Sequence, residues 1–372
     1  MSRDILSKFN RNIYFYCDPK QGVPEGEKLQ HLLICLAEGL KDLGITFFSN
    51  VNYWKDFPDQ EQFLFRQSPD VTPDDCAVLV LQNNWFTDVH PLPENLFHRN
   101  RKYIIVYMDA EDTDRTYAVR PEFRQFDIIL RNHFNSKFEY GNNFYPWPFG
   151  LNKRMLRELE EVPEFQKRKR QLLINFRADH SVRETSCRLI IPRIKKVLPI
   201  DNYTNSLDQP PADPYHYLHW VQTGRRHYPD YYVRLKNSAA CACFGGFFVP
   251  SWPKNPENLI SRAGRRILRK LKLKSNTIAQ WDSWRFWESL AAGCATFHVD
   301  FEKYGLALPV MPENWRHYIG IDLDNIQEAV DRISDEPEIL EKVATQGQRW
   351  VMENYAPVPT ALRFLETVSQ KL

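Results

Sequence analysis

The stretch Gln280 to Asp300, QWDSWRFWESLAAGCATFHVD, constrains the fold more than any other part of the chain. Asp282 or Ser283 is suited to cap a helix running from Trp284 to Leu290, and Gly293 supplies the left-handed residue that ends it. Cys294 to Val299 then reads as a short strand buried on both faces, delivering Asp300 to its carboxyl end. Open α/β sheets bind their ligands beyond the carboxyl ends of the strands, so helix start and strand end border one crevice. The first helical turn offers unpaired N–H groups, a positive dipole end and the Arg285 guanidinium, a combination suited to an anion. Glu288, one turn on, is placed to accept from a diol.

The rest of the chain repeats the alternation of short apolar runs and helical periodicity. Strands are expected at Asn12 to Cys17, Gly44 to Phe48, Ala77 to Leu81, Lys102 to Tyr107 and Phe126 to Leu130, with a helix over 28–43. This β-α alternation predicts a parallel sheet. Gly22 and Gly26 permit close approach of backbone to a ligand, but no GxGxxG is present. The Pro-rich punctuation Tyr145 to Gly150 closes a first domain, 1–150, and a charged, helical connector over 151–170 leads to a second, 171–355. There a strand at Leu172 to Phe176 leaves Arg177, Asp179 and His180 at its carboxyl end, ahead of a helix from Ser181 to Val197. Arg177 and Arg183 are therefore candidates to bind phosphate. A helix over 230–237 and a buried strand over 239–244 lead to Gly245-Gly246, a permissive turn where backbone approaches a base or sugar. His216-x-x-His219 places two imidazoles on one helical face, with no Cys, Asp or Glu nearby to complete a ligand set, so it reads as a packed pair.

With 372 residues, 43% of them hydrophobic, the chain can bury two cores of ordinary size. Lys and Arg total 49 against 47 acidic residues, a balance that excludes a general nucleic-acid binder and makes any anion site local. The seven cysteines lie mostly in apolar runs without CxxC spacing, the pattern of reduced thiols. No apolar stretch reaches the ~20 residues that span a bilayer, and Met1 to Asn12 is too polar for a signal peptide, so the expectation is a cytoplasmic protein. The segment Arg262 to Lys274 reads as a basic amphipathic helix. It either makes peripheral contact with an anionic membrane, grips a charged acceptor, or packs its leucines on the core.

Ser283-x-Arg285-x-x-Glu288-Ser-Leu-Ala-Ala-Gly293-Cys294, followed by Leu308-Pro309, Trp315 and the run Tyr318 to Asp322, resembles the C-terminal half of exostosin-like glycosyltransferases. The resemblance is clearest over 280–335 and weaker over 228–246. It implies an α/β fold of the GT-B type, two Rossmann-like domains with parallel sheets facing a central cleft, and a C-terminal helix, 356–372, crossing back to the first domain. It further implies transfer of a sugar from a nucleotide diphosphate to a hydroxyl of a glycan, lipid-linked or small-molecule acceptor, with no obligatory metal and no cofactor beyond the nucleotide sugar. Glu288 matches the Glu that binds the donor ribose. Retaining relatives carry a second Glu eight residues earlier, where this chain has Gln280. A protein of this fold that has lost activity and serves in carbohydrate binding or assembly, and a sugar-nucleotide epimerase, are the alternatives. Ser283, Arg285, Glu288, Arg177, Arg183, Gly245 and Gly246 make up the expected donor site. The base is expected from the first domain, where Met108-Asp109-Ala110-Glu111-Asp112 follows a strand. Asp109 is the first choice, Glu111 the second, and Asp18 the rival. Asp-x-Asp at 112–114 and 322–324 is too common a pattern to assign to a metal.

Overall fold

The computed structural model describes residues 12–18, 29–86, 91–112, 121–203, 209–249, 263, 264, 267 and 276–372. The loop carrying Gly22 and Gly26 lies outside them, as does nearly all of the basic segment Arg262 to Lys274.

Six short strands form one parallel sheet: β1 (Ile13–Tyr16), β2 (Phe47–Ser49), β3 (Val78–Gln82), β4 (Ile104–Asp109), β5 (Ile128–Arg131) and β6 (Phe144–Pro146). Their order is β2-β1-β3-β4-β5-β6. Both faces are covered, so successive side chains enter different cores: Val78 and Val80 pack with α1 (His31–Asp42), Leu79 and Leu81 with Phe86, Phe123 and Phe126. β6 falls within the Pro-rich stretch that reads as punctuation. Pro146 is tolerated there because β6 is an edge strand.

The connector is helical only over α2 (Lys153–Glu158), and β7 (Lys169–Ile174) begins before the expected position. The second sheet adds β8 (Ile200–Asn202), β9 (Ser238–Ala242), β12 (Ala295–Val299) and β13 (Ile319–Ile321), parallel in the order β13-β12-β9-β7-β8. A small antiparallel pair, β10 (Phe247–Phe248) and β11 (Ile278–Ala279), stands apart. The helix expected over 181–197 is divided into α3 (Ser181–Thr185), a π-helical turn over Ser186–Ile190 and α4 (Ile191–Ile194). Pro192 has no N–H for the regular ladder, which accounts for the irregular winding just before it. α5 (Pro214–Gln222), α6 (Pro229–Lys236), α7 (Trp284–Ala291), α8 (Phe301–Tyr304), α9 (Ile326–Asp335) and α10 (Ile339–Tyr355) follow. Finally α11 (Pro357–Ser369) packs on α1, contributing Ala361, Phe364, Leu365 and Val368 to the core beneath the first sheet. All seven cysteines are free. Among the described residues no helix is long and apolar enough to cross a membrane.

Polar contacts staple the two sheets' units together along the segment that precedes α7. Asn135 Nδ2 donates to the carbonyls of Ile278 and Tyr304 at 2.8 and 2.9 Å, and Trp281 Nε1 donates to the Phe134 carbonyl at 3.0 Å. On the other side of the seam the Lys55 backbone and the Gln222 amide exchange two bonds of 2.8 Å.

Candidate active site

β7 and β9 are neighbours separated in sequence by β8, so the sheet reverses its winding between them, which is the place where such sheets hold ligands. A cavity of about 450 Å³ opens there. From the segment after β7 come Asn175, Phe176, Arg177, Asp179 and His180; from α3, Arg183; from the turn after β9, Gly245; from α6, Tyr231 and Tyr232; from α7 and its entrance, Gln280, Asp282, Ser283, Trp284, Arg285 and Glu288. The first sheet's unit closes the cavity with Asp112, His133 and Phe149. Gln280 and His133 both adopt positive φ, at 53° and 56°, a conformation that costs a non-glycine residue on the order of 1–3 kcal/mol and collects at functional sites.

Four guanidinium groups line the cavity: Arg177, Arg183, Arg285 and Arg226, the last not singled out by the sequence because it sits in the loop between α5 and α6. Asn175 Oδ1 accepts from Nε and Nη2 of Arg285 at 3.4 and 3.3 Å. Arg183 Nε donates to the Phe244 carbonyl at 3.0 Å, and burial, then the charge of Arg285, pulls its pKa down to about 10. Cationic charge is thus concentrated to the point of self-repulsion, the condition of a site built to receive an anion. The start of α7 adds its dipole. Ser283 stands at the N-cap position and lines the cavity, but its side chain caps nothing: among the described residues its buried hydroxyl has no hydrogen-bond partner. Asp282, the other expected cap, accepts instead from Trp287 Nε1 (2.7 Å), Asn132 Nδ2 (2.9 Å) and the Phe149 N–H (2.9 Å), which ties the two units together at the cavity floor. Burial raises its pKa to about 7 against the pull of those donors. Glu288 is buried, with Oε1 accepting from the Tyr232 hydroxyl at 2.6 Å.

Gly245 and Gly246 answer to packing. A Cβ on Gly245 would lie 2.8 Å from the Trp281 carbonyl oxygen, and one on Gly246, at φ +95°, would lie 2.5 Å from that of Ala279. The turn is pressed against the strand that leads into α7, and only Gly245 borders the cavity.

The expected bases do not reach the cavity. Asp109 is fully buried, with Oδ2 accepting from Arg131 Nη1 at 2.7 Å and Oδ1 from the Glu111 N–H at 3.2 Å. Glu111 accepts from Asn83 Nδ2 at 2.9 Å, and neither it nor Asp18 is among the lining residues. The next carboxylate along, Asp112, lines the cavity, with Oδ1 3.6 Å from Nε2 of buried His133. His133 Nδ1 accepts from the Asp282 N–H at 3.0 Å, so the neutral ring carries its proton on Nε2 and presents it to Asp112. Burial lowers the pKa of His133 against the attraction of Asp112. Asp112 in turn sits below the ordinary carboxylate value, partial burial being outweighed by the His133 and Gln280 contacts.

His216 and His219 do not share a ligand. His219 Nε2 donates to the Asp56 carbonyl at 3.2 Å, whereas His216 Nδ1 lies 3.0 Å from His227 Nε2. Glu158 Oε1 completes a triangle, at 3.4 Å from the first nitrogen and 3.3 Å from the second, supplying the carboxylate that the local sequence lacks. These spacings resemble those around a tetrahedral cation with bonds of roughly 2.0–2.1 Å. The tautomer speaks for a hydrogen-bonded triad, however. Arg154 Nη1 donates to His227 Nδ1 at 2.9 Å, which leaves the ring's single proton on Nε2, inside the triangle.

No family model matches the sequence, and no curated protein matches it. Solved structures do. A glycosyltransferase from Rickettsia africae superimposes with a TM-score of 0.51 at 10% identity, covering 98% of this chain and 99% of its own. The Anabaena protein HepE in complex with UDP and glucose gives 0.50 at 10% identity, covering 97% and 100%. The pneumococcal O-GlcNAc transferase GtfA, with UDP and GlcNAc, gives 0.40 at 11% identity over 79% of this chain, which spans 56% of that one. The architecture is the one expected from the sequence: two Rossmann-like units with parallel sheets facing a cleft, in the manner of GT-B glycosyltransferases.

Proposed function

We propose that the protein is a glycosyltransferase that takes a sugar from a nucleoside diphosphate and passes it to an acceptor hydroxyl. The convergence of Arg177, Arg183, Arg226 and Arg285 with the start of α7 at the sheet's switch point carries this reading. A diphosphate leaving group needs fixed positive charge where its own charge develops, and guanidinium groups match phosphate oxygens in pairs. Glu288 lies near enough to take the ribose diol, leaving the sugar to face the first unit, where Asp112 and His133 stand. Asp112 receives the acceptor's proton as the new glycosidic bond forms and the bond from the anomeric carbon to the phosphate oxygen breaks, its electron pair going to the diphosphate. His133 stands beside Asp112, its Nε2 3.6 Å from Oδ1, and favours the charged carboxylate. This assigns the base three positions beyond Asp109, the residue favoured by sequence. The acceptor is a glycan, lipid-linked or small-molecule hydroxyl, and with the arginines meeting the charge, transfer proceeds without a divalent ion.

The test is incubation with UDP-, GDP-, ADP- and CDP-sugars, with and without EDTA, following release of the nucleoside diphosphate. Slow hydrolysis of one donor, insensitive to EDTA, is expected; no release from any of them overturns the enzyme reading. With that donor, Asp112→Asn should bind normally and lose about two to four orders of magnitude in turnover, the scale of general base catalysis. Full turnover in Asp112→Asn moves the base elsewhere.

A further inference from the structure

We infer that Tyr232 and Arg154 are positioning residues that aim the Glu288 carboxylate at the donor ribose; this rests on the donor site proposed above. The Tyr232 hydroxyl donates to Glu288 Oε1 at 2.6 Å, within the short range of a charge-assisted O–H···O⁻ bond. The same oxygen accepts from Arg154 Nη1 at 3.0 Å. With its lone pair turned to the guanidinium, the hydroxyl must point its hydrogen at Glu288, so the direction of the whole chain is fixed from Arg154 outward. Oε1 is thereby occupied and Oε2 is the oxygen left for a ligand.

Among the described residues the Arg154 guanidinium donates to two side-chain atoms, the Tyr232 hydroxyl oxygen and His227 Nδ1. It is fully buried on α2, with Nε and Nη2 lacking hydrogen-bond partners, and among the described residues it forms no direct ion pair. A buried guanidinium without a carboxylate against it is costly. The two carboxylates it faces act at one remove, Glu288 through Tyr232 and Glu158 through His227. Its position is set locally, by Asn152 capping α2 through the Met155 N–H at 3.0 Å. Without this brace Glu288 would hold only one end of a side chain with several rotatable bonds, and a diol contact needs that freedom removed.

The readout is discrimination between ribose and 2′-deoxyribose. The tightest binder among UDP, GDP, ADP and CDP is titrated by calorimetry beside its 2′-deoxy counterpart, with melting temperatures checking that each variant folds. Wild type should prefer the ribose form by about tenfold, the scale of one hydrogen bond to a charged group. Glu288→Ala should erase the preference. Tyr232→Phe, which keeps the ring, should narrow it to threefold or less while both ligands still bind. No binding by any of the four, equal binding of both forms by wild type, or a preference that survives Glu288→Ala overturns the donor-site assignment itself. A preference lost in Glu288→Ala but intact in Tyr232→Phe overturns the positioning role alone, as does an equal weakening of both ligands, the mark of a packing defect. If Tyr232→Phe does not fold, Arg154→Lys is measured in the same way: a narrowed ratio is expected, and an unchanged one overturns the inference.

Discussion

Asp109 and Arg131 stand directly opposite one another at the carboxyl ends of β4 and β5, which explains why the first carboxylate after the strand is structural. Opposite charges facing each other across a ladder stabilise the pair, and both side chains are wholly excluded from water. Arg131→Met should therefore destabilise the protein by roughly 3–5 kcal/mol in urea unfolding, since it strands a buried carboxylate; a loss below ~1 kcal/mol would mean the pair is not buried as described. The sequence places a cluster of carboxylates at the sheet edge but cannot tell which of them the neighbouring strand claims, because that depends on register. Arg285, Arg177, Arg183 and Ser283 were legible as residues of this cavity because each follows a strand end or lies at the start of a helix, and Glu288 because it falls one turn into α7. Arg226, Tyr232, His133 and Asp282 were not, because loops and long-range hydrogen bonds bring them in. His133 and Gln280 carry a signal visible only in the backbone, their positive φ.

At the scale of elements, Gly39 on α1 lies directly against the start of α11. A Cβ on Gly39 would fall 1.9 Å from the Pro357 carbonyl oxygen and 2.8 Å from Ala361 Cβ, neither of them the end of a flexible side chain. Ala is the better helix former by about 1 kcal/mol, so helix propensity and packing pull in opposite directions at this site. Packing should win: Gly39→Ala is expected to lower the melting temperature, with an overpacking cost of about 1–3 kcal/mol or more. A raised melting temperature would show that α11 does not seat there. The short strands were readable because runs such as Val78 to Leu81 are buried on both faces and flanked by polar turns. β6 was hidden by Pro146, and the break between α3 and α4 by a helical periodicity that persists through the π turn.

For the whole molecule, burial sets an acid sensitivity. His31 (to about 3), His219 and His227 (each to about 2), His180 and His298 (each to about 4), His133 and His317 all have pKa values lowered from 6.5, foremost by burial. Below that value the unfolded chain takes up protons that the folded chain refuses, so stability falls as pH drops. Glu38 (to about 8), Asp282 (to about 7) and Glu158 are shifted upward, foremost by burial, and act in the opposite sense: their contribution is present in acid and lost as pH rises through the folded values. The seven histidines outnumber the three carboxyls, leaving a net loss of roughly 1.4 kcal/mol per pH unit for each uncompensated proton. The melting temperature at pH 5 should lie below that at pH 6.5; an equal or higher value would refute the balance. The return of α11 to the first sheet bears on how the chain is made. Phe364, Leu365 and Val368 complete a core whose other walls are translated more than two hundred residues earlier. On the ribosome, the first sheet's unit must wait for α11, holding part of an apolar face open while the second sheet, whose own strands end at Ile321, is free to close.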